Sequence, residues 1–281
     1  MSTRYSSSVI ATITVVVVFP LVSGPAAGQP PLPTPPEAHT WEPPRTPDGQ
    51  PDIRGHWSQS NRITTYSIQE GSADRAVHIR ITGQEEAVGR PIIDPPDGKI
   101  PYQPWAAEQK QRNYENRLTA DPESRCTMPG VPRVTYMPYP FQILQFSDRV
   151  LFLYEYVHTT RTVYMNGSDH LEGQIGFWMG DSRGHWEGDT LVIDVIHFND
   201  ETWFDRAGNF HSEALHVVER YTPTGPAHLT YEVTIEDPNV FTDSWKMEMP
   251  LYRRQEADIE VLEYECFAYI EQELEDPQPE R

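Results

Sequence analysis

The sequence predicts a mainly β protein, an antiparallel barrel or sandwich of about eight strands. The chain of 281 residues is rich in proline (27) and in aromatic residues (11%), a composition that suits short strands better than long helices. From residue 121 onward, short apolar runs follow one another and are separated by turn-forming dipeptides such as Asn-Gly, Gly-Asp and Asp-Pro. Because no helical pattern lies between these runs, we expect the strands in meander order.

Alternating apolar and polar side chains support this prediction. In residues 228–236, Leu229, Tyr231, Val233 and Ile235 share one face, while the other face is polar. Such a strand has one buried face and one solvated face. The predicted strands are 141–146, 150–158, 161–165, 190–198, 215–221, 228–236, 245–252 and 261–269.

The N-terminal part of the chain has a different character. Residues 1–28 have the pattern of a secretory signal peptide, because Arg4 is the only charge and an apolar run at 9–22 precedes small residues at 26–28. A Pro-rich linker follows at 29–51. We expect a single β domain at 52–281, with an N-terminal extension at 52–120 and a β core at 121–281. The predicted location is periplasmic or secreted.

Two helices are predicted within the extension. Residues 105–118 are rich in Ala, Glu, Gln, Lys and Arg, which favour helices. This segment is polar over most of its surface, so we expect it on the outside of the fold. A shorter helix is predicted at 84–90.

The formal net charge of −20 limits the partners. Nucleic acids and anionic membrane surfaces require clusters of Lys and Arg, so we expect neither as a partner. After removal of the signal peptide we expect no membrane insertion. Acidity is typical of a soluble exported protein, and it also attracts cationic ligands or divalent metals.

The chain contains two cysteines, Cys126 and Cys266. An oxidising compartment favours a disulfide between them, which would join the loop before the first core strand to the last strand. Two buried free thiols are the alternative. A redox pair is disfavoured because the spacing is not CxxC.

Residues 178–221 hold the densest group of potential ligands and acid/base groups. The group consists of Asp205, Arg206, His211, Glu213, His216 and Glu219. Histidine and carboxylates bind zinc or iron and also act as acid/base pairs. In an extended chain, however, His211 and Glu213 share a face while His216 lies on the other. A divalent metal therefore needs a turn between them, and surface polar groups in a long connection are the simpler interpretation.

Glu219 is a separate case. It shares a face with Leu215, Val217 and Tyr221, so an inward orientation would bury its carboxylate, which then needs a partner or a raised pKa. Arg161 also shares a face with apolar residues and can be that partner. The pattern fits two interpretations of Glu219, a structural ion pair and a general base in a pocket.

His158 and His197 each follow an apolar row at the end of a predicted strand. A rim histidine with satisfied hydrogen bonds is the common case. If the two rims coincide, these histidines would flank a ligand with Tyr154, Tyr156 and Trp203.

Two further motifs are only weak indications of a calcium site and of a serine nucleophile. Asp181, Glu187 and Asp189 offer oxygen ligands for calcium, but their spacing does not match an EF-hand loop. Ser182 lies in GDSRG, which has the spacing of GxSxG, but a predicted strand follows it instead of the helix that a nucleophile elbow requires.

Several longer strings point to relatives. They are PRTPDGQPDIRGHW (44–57), RCTMPGVPR (125–133), WMGDSRGHWEGDTLVID (178–194), FNDETWFDRAGNFHSEALHVVERY (198–221), YEVTIEDPNVFT (231–242) and MPLYRR (249–254). Together they resemble a family of exported bacterial proteins to which no activity is assigned. The resemblance covers most of the chain after residue 44 and implies an exported single domain. The strand pattern is also similar to lipocalin-like barrels, which is a likeness of architecture only.

Two classes of function follow. The first is an exported protein that binds a small apolar or aromatic ligand in the barrel mouth. Its candidate ligand-binding residues are Tyr154, Tyr156, His158, His197, Trp203 and Met247. A barrel of this size can enclose one small ligand. A structural role of the Pro-rich arm in the cell envelope is a further alternative.

The second class is a lyase, isomerase or hydrolase, with or without a divalent metal. It would use Glu219 or Asp205 as general base. His211, His216 or Arg161 would act as acid or anion clamp. This hypothesis predicts that Asp205, His211 and Glu219 converge on one pocket.

Overall fold

The computed structural model describes residues 41–59, 66–69, 91–173 and 175–266. The chain divides after Thr40 into two units, and all described residues belong to the second. The predicted signal peptide, part of the linker, the predicted helix at 84–90 and the end of the last predicted strand lie outside the described residues.

Ten strands form one sheet. They are β1 (Gly55–Gln59), β2 (Ile92–Asp94), β3 (Phe141–Gln145), β4 (Arg149–Tyr154), β5 (Thr160–Tyr164), β6 (Asp181–Glu187), β7 (Thr190–Ile196), β8 (His216–Gly225), β9 (His228–Glu236) and β10 (Trp245–Arg253). Their order is β1-β3-β4-β5-β6-β7-β8-β9-β10, and β1 also pairs with β10. Nine strands therefore close a barrel, while the extra strand β2 pairs with the beginning of β10. The predicted mainly β barrel is confirmed.

One strand pair departs from the predicted antiparallel meander. β5 and β6 run parallel, with Val163 opposite Ser182 and Tyr164 opposite Arg183. A closed ring with an odd number of strands cannot alternate direction throughout, so at least one pair must be parallel. Parallel neighbours need a connection that returns to the starting end, and residues 165–180 form that connection here.

Strand alternation places one set of side chains inside the barrel. On β9, for example, Leu229, Tyr231, Val233 and Ile235 are buried, and their neighbours along the strand are more exposed. The interior is filled by large side chains from all around the ring, among them Trp57, Phe141, Phe152, Tyr221, Tyr231 and Trp245. The core is thus the barrel interior itself.

The two ends of the barrel differ. The end where the β3–β4, β6–β7 and β8–β9 hairpins turn is called the lower end, and the opposite end is the upper end. Three short α-helices are described: α1 (Pro104–Glu115), α2 (Arg117–Ala120) and α3 (Arg133–Tyr136). All four residues of α3 are buried, and Thr135 contacts the Tyr221 hydroxyl of β8 at 3.3 Å. α3 and the loops at 197–215 and 237–244 fill and cover the upper end.

Helix α1 confirms the predicted surface helix in outline. It begins at Pro104, whose position in the first turn costs no hydrogen bond. Only Ala106 of its residues is buried. The predicted segment 105–118 is divided at Asn116, after which α2 begins. No described helix is long and apolar enough to span a membrane.

The predicted disulfide is present. Cys126 and Cys266 are bonded, with Cα atoms 5.5 Å apart and a sequence separation of 140 residues. It joins the loop that follows the 3-10 turn at Pro122–Arg125 to the C-terminal segment. The described part of the predicted strand 261–269 is not a strand, because residues 261–266 contain only one isolated bridge, between Tyr156 and Tyr264.

Three strands, β1, β2 and β6, have no counterpart among the predicted strands. Two predicted strands also end early, since β4 stops at Tyr154 and β7 at Ile196. Beyond those ends, His158 and His197 have positive φ angles of 49° and 63°. A residue in that region of backbone space cannot continue a strand.

Candidate functional site

A buried ion pair lies at the centre of the barrel. Arg161 on β5 donates through Nη2 to Glu219 Oε2 on β8, and the two side chains are 2% and 0% exposed. Arg161 Nε also donates to Ser182 Oγ at 3.0 Å. The hydroxyls of Tyr221 and Tyr231 donate to the other oxygen, Glu219 Oε1, at 3.0 and 2.8 Å. Both carboxylate oxygens are therefore occupied by donors from within the barrel.

The electrostatics follow from burial and from this pairing. Burial alone would lower the pKa of Arg161, but the adjacent Glu219 carboxylate raises it above its ordinary value. Burial raises the pKa of Tyr221 and Tyr231 well above the usual range. The arrangement thus holds one guanidinium and one carboxylate in a packed interior.

The interior also contains unsatisfied donors. Arg161 Nη1 and the Tyr154 hydroxyl are buried and have no hydrogen-bond partner among the described residues. Burial raises the pKa of Tyr154 to about 12. Neither pocket described below is lined by Glu219 or Arg161, so the geometry supports the structural interpretation of the pair rather than a general base facing a substrate.

Asp205 lies at the upper end, in the covering formed by α3 and the loops at 197–215 and 237–244, which is called the cap. Its Oδ1 accepts from the backbone N–H groups of Ala207 (3.0 Å) and Asn209 (3.2 Å). Its Oδ2 accepts from Ile68 N–H (2.8 Å) and Asn209 Nδ2 (2.6 Å). Complete burial raises the pKa of Asp205 to about 6, against the four hydrogen bonds, which favour the carboxylate. Its contacts are those of a loop-ordering carboxylate.

A second buried network ties the same cap together. Arg133 of α3 contacts Asp121 at 2.8 Å and Glu123 at 2.6 Å, and Arg206 contacts Glu123 at 2.5 Å. Burial raises the pKa of Glu123, but the two guanidinium groups outweigh it and hold that pKa below its ordinary value. This network joins α3 to the loop that carries the disulfide.

His211 is buried in the cap as well. Its Nδ1 lies 2.9 Å from the Ser212 carbonyl, and its Nε2 lies 2.6 Å from the Thr202 hydroxyl. A carbonyl only accepts, so Nδ1 carries the proton and Nε2 accepts from Thr202. Burial lowers the pKa of His211, in keeping with a neutral imidazole.

His216 points in the opposite direction, to the outer face of the barrel. Its Nε2 lies 2.8 Å from Asp194 Oδ2 on β7. The other oxygen of Asp194 lies 2.7 Å from His170 Nε2, and His170 Nδ1 lies 2.9 Å from Asp181 Oδ2. Asp194 thus lies between two imidazoles. This group of four residues, His170, Asp181, Asp194 and His216, is called the outer histidine cluster.

A pocket of about 690 Å³ opens at the lower end, next to the β3–β4 hairpin. Its residues are Thr46, Pro47, Asp48, Gln50, Arg54, Gln145, Phe146, Ser147, Asp148, Val150, Met165, His185 and Trp186. It is called the lower pocket. Phe146 is 53% exposed, so its ring offers an apolar surface that the fold leaves open.

Local contacts hold the wall of the lower pocket. The Gln145 amide accepts from Ile53 N–H at 2.9 Å and donates to the Pro51 carbonyl at 2.9 Å. Arg45 pairs with Asp189 of the β6–β7 hairpin at 2.7 Å. The described end of the Pro-rich linker (residues 41–51, called the arm) is therefore attached to the lower end of the barrel.

A second pocket, of about 660 Å³, lies between strands β3 and β4 and the C-terminal segment. It is more open than the lower pocket and includes Tyr154, His158 and Glu263. His158 Nε2 lies 2.8 Å from Glu265 Oε1. With Glu263, these residues are the one described group whose three ligand atoms lie close enough to share a metal ion, and all three are exposed.

The predicted catalytic residues do not assemble into one site. No hydrogen bond joins Asp205, His211 and Glu219 in the described structure, since each has its own set of partners. Glu219 and Arg161 lie inside the barrel, Asp205 and His211 lie in the cap, and His216 is outside. The predicted convergence on one pocket is not seen.

The predicted ligand-binding residues are also dispersed. Tyr154 and His158 both line the second pocket, whereas Tyr156 and Met247 are buried among other side chains and Trp203 pairs with Phe210 in the cap. His158 contacts Glu265 near the C-terminal segment, whereas His197 Nε2 lies 2.8 Å from the Leu171 carbonyl. The two histidines therefore do not flank a common ligand.

Sequence patterns missed His170, Phe146, Met165 and Trp186. His170 lies in a connection, and its contacts with Asp181 and Asp194 depend on the parallel pairing of β5 and β6. Phe146 and Trp186 do carry a sequence signal, since each is a large aromatic residue close to a turn-forming dipeptide, Ser147-Asp148 or Gly188-Asp189. No protein-family profile and no curated protein matches this chain.

Proposed function

We propose that the protein is an exported β-barrel protein that binds a small, largely apolar or aromatic molecule in the lower pocket. The observation that carries this proposal is the combination of an open cavity of about 690 Å³ with Phe146, Met165 and Trp186 among its walls. Small-molecule sites are concave, measure roughly 300–1,000 Å³ and combine apolar walls with a few polar groups. The lower pocket has such a volume, and its walls combine these three apolar side chains with polar ones such as Gln50, Gln145 and Ser147.

The packing of the barrel argues for this end rather than the interior. The centre is filled by aromatic side chains and by the Arg161–Glu219 pair. The upper end is covered by α3 and the cap. At the lower end, in contrast, the arm and the β3–β4 hairpin surround a space instead of filling it.

The charges around the pocket indicate the polarity of the ligand. Arg54 pairs with Asp52 at 2.6 Å, Asp148 pairs with Arg149 at 2.7 Å, and His185 contacts Glu187 at 3.1 Å. Because Arg54 and Asp148 already have partners of opposite charge, a ligand does not need to neutralise either of them. We therefore expect a neutral molecule whose ring or short apolar chain packs on Trp186 and Phe146.

Fluorescence titration with N-phenyl-1-naphthylamine, a neutral apolar probe, tests the proposal. We expect saturable binding and an affinity loss of at least about tenfold in Trp186→Ala, or about 1.4 kcal/mol. Trp105→Ala is the matched control, because Trp105 is 51% exposed on α1 and does not line the pocket. A screen of small neutral aromatics by native mass spectrometry then identifies the ligand class.

Trp186 packs partly against the core, so its removal can also weaken the fold. Phe146→Ser is the second variant, because that ring is exposed and its loss leaves the core intact. If folded Phe146→Ser and Trp186→Ala both bind the probe as the wild type does, the lower pocket is not the site. Absence of saturable binding to the wild type also contradicts the proposal.

A further inference from the structure

The connection between β5 and β6 is held to the outer face of the barrel by side chains. His170 reaches Asp181 on β6 and Asp194 on β7. The neighbouring Leu171 N–H donates to Asp181 Oδ2 at 3.1 Å. Arg183 Nε donates to the Asp169 carbonyl at 2.8 Å. Residues 166–173, called the strap, are thus attached at one short stretch around His170.

Charged groups face this attachment from every strand that it crosses. β6 contributes Asp181 and Arg183, which pair with each other at 3.1 Å. β7 contributes Asp194, and His197, which follows β7, contacts the strap directly, with its Nε2 2.8 Å from the Leu171 carbonyl. β8 and β9 contribute His216 and Glu236, with His216 Nδ1 3.4 Å from Glu236 Oε2.

Hydrogen-bond chemistry shows what these contacts require. A carboxylate only accepts, so an imidazole between two carboxylates makes both hydrogen bonds only when each ring nitrogen carries a proton. His170 lies between Asp181 and Asp194, and His216 lies between Asp194 and Glu236. With both imidazoles protonated, they and Arg183 balance the three carboxylates. Without those protons, Arg183 faces the three carboxylates alone.

A shared metal ion does not fit the same geometry. Two ligands of a tetrahedral zinc, each about 2.0–2.1 Å from the ion, stand roughly 3.3 Å apart. The nitrogen–oxygen separations at Asp194 are 2.7 and 2.8 Å, which is the length of a charge-assisted hydrogen bond. The separations in the cluster are therefore those of hydrogen bonds.

We propose that the outer histidine cluster is a proton-operated latch, which holds the strap against the barrel when His170 and His216 are protonated and releases it when they lose those protons. Release separates His170 from both aspartates and exposes the Leu171 amide. The strap includes none of the buried core residues, so it can leave the surface without unfolding the barrel.

The electrostatics of the partners agree with this direction. Asp194 raises the pKa of His216, with Glu236 as a smaller contributor. The hydrogen bond from His216 in turn lowers the pKa of Asp194, and His170 acts in the same sense. A histidine whose pKa is raised in the folded state stabilises that state fully below the ordinary pKa near 6.5, and this contribution is lost as pH rises through the raised value. The latch therefore opens on the alkaline side.

Amide hydrogen exchange of Leu171 measures the latch directly. We expect its protection factor, corrected for the intrinsic pH dependence of exchange, to be at least tenfold higher at pH 5.5 than at pH 8.5. Amides of β7 serve as the internal reference for the barrel. His170→Gln is expected to lose the protection of Leu171 at both pH values.

Two further variants separate the latch from a general effect of histidine charge. His216→Gln leaves the strap intact but removes the cation that shares Asp194 with His170, so it is expected to shift the opening to higher pH. His185→Gln is the control, because His185 lies on β6 but pairs with Glu187 away from the strap, and it is expected to behave as the wild type does.

Nitrogen-15 spectra of the histidine side chains complete the test. At pH 5.5 both nitrogens of His170 are expected to carry protons. A bare ring nitrogen on His170 at that pH overturns the proposal, and so does equal protection of Leu171 at the two pH values.

Discussion

Replacement of Glu219 by glutamine tests the role assigned to the central ion pair. The substitution keeps the shape of the side chain and an acceptor for the tyrosine hydroxyls, but it removes the charge that faces Arg161. Arg161 is 2% exposed, so its guanidinium cannot regain water. Loss of one partner of a buried pair costs roughly 3–5 kcal/mol, and we expect Glu219→Gln to lower the free energy of unfolding by about that amount.

Urea denaturation at pH 7, followed by tryptophan fluorescence with the disulfide intact, measures this change. Glu187→Gln is the matched control, because Glu187 pairs with Arg220 at 2.8 Å at the surface, where both side chains are at least 34% exposed. Exposed pairs contribute about 0–1 kcal/mol. The two variants should therefore differ by roughly 3 kcal/mol, or about 100-fold in the folding equilibrium constant.

A double-mutant cycle with Arg161→Met isolates the interaction between the two side chains. We expect the double variant to be less destabilised than the sum of the single variants. A free energy of unfolding for Glu219→Gln within 1 kcal/mol of the wild type would refute the reasoning, because it would mean that Arg161 finds other compensation inside the barrel.

Three further predictions concern the cap, the disulfide and one glycine. Replacing both Cys126 and Cys266 with serine should lower the free energy of unfolding by about 2–5 kcal/mol, since the disulfide closes a loop of 140 residues; unchanged urea midpoints would contradict this. Carbon-13 titration of Asp205 should give a midpoint near pH 6. Because that pKa is raised on folding, the free energy of unfolding should fall by roughly 3 kcal/mol as pH rises from about 4 to 6. A midpoint below pH 4 would show that the hydrogen bonds of Asp205 outweigh its burial. Gly208→Ala should destabilise by at least about 2 kcal/mol in thermal or urea unfolding, because φ is +82° and the added Cβ would lie 2.7 Å from Tyr114 N. Gly188→Ala, at φ +58° with no atom within 4 Å of the added Cβ, should cost only about 1 kcal/mol, and equal costs would remove the role of the Tyr114 contact.

Local alternation was sufficient to predict the strands that depend least on distant partners. β9 was predicted at its observed bounds because its apolar and polar residues alternate without interruption. The alternation of β8 also placed Glu219 on the inward face, which made Arg161 a candidate partner before the fold was known. These inferences succeed because the period of a strand is fixed by backbone geometry.

Other elements depend on partners far away in the chain. β6 contains a glycine and several charged residues, and its propensity is that of a turn; its strand conformation comes from pairing with β5 and β7. β1 has no clear alternation of its own and is a strand because it lies between β3 and β10. Propensity cannot reveal such strands, because sheet stability depends largely on the neighbours.

Contacts within the candidate site likewise depend on residues that are distant in the sequence. Parity along an extended chain predicted that His211 and His216 lie on opposite faces, but their separation has another cause, since His211 lies in the loop before β8 and only His216 is on the strand. The sequence pattern did not predict the outer histidine cluster, because His170 contacts Asp194 only when the connection after β5 returns along the barrel. The lower pocket was missed for a related reason, since Phe146 and Trp186 come to the same end through the parallel pairing of β5 and β6.

The closing strand β1 also has a consequence for how the chain reaches its fold. Arg253 at the end of β10 donates to the carbonyl of Arg54, at the entrance to β1, across 199 residues of sequence. The first barrel strand to leave the ribosome must therefore wait for the last one before the ring can close. Folding rates fall as contacting residues become more distant in sequence, so we expect a barrel that closes slowly. Under the proposed export, this delay would keep the barrel open until translocation, because the ring cannot close before β10 has been synthesised.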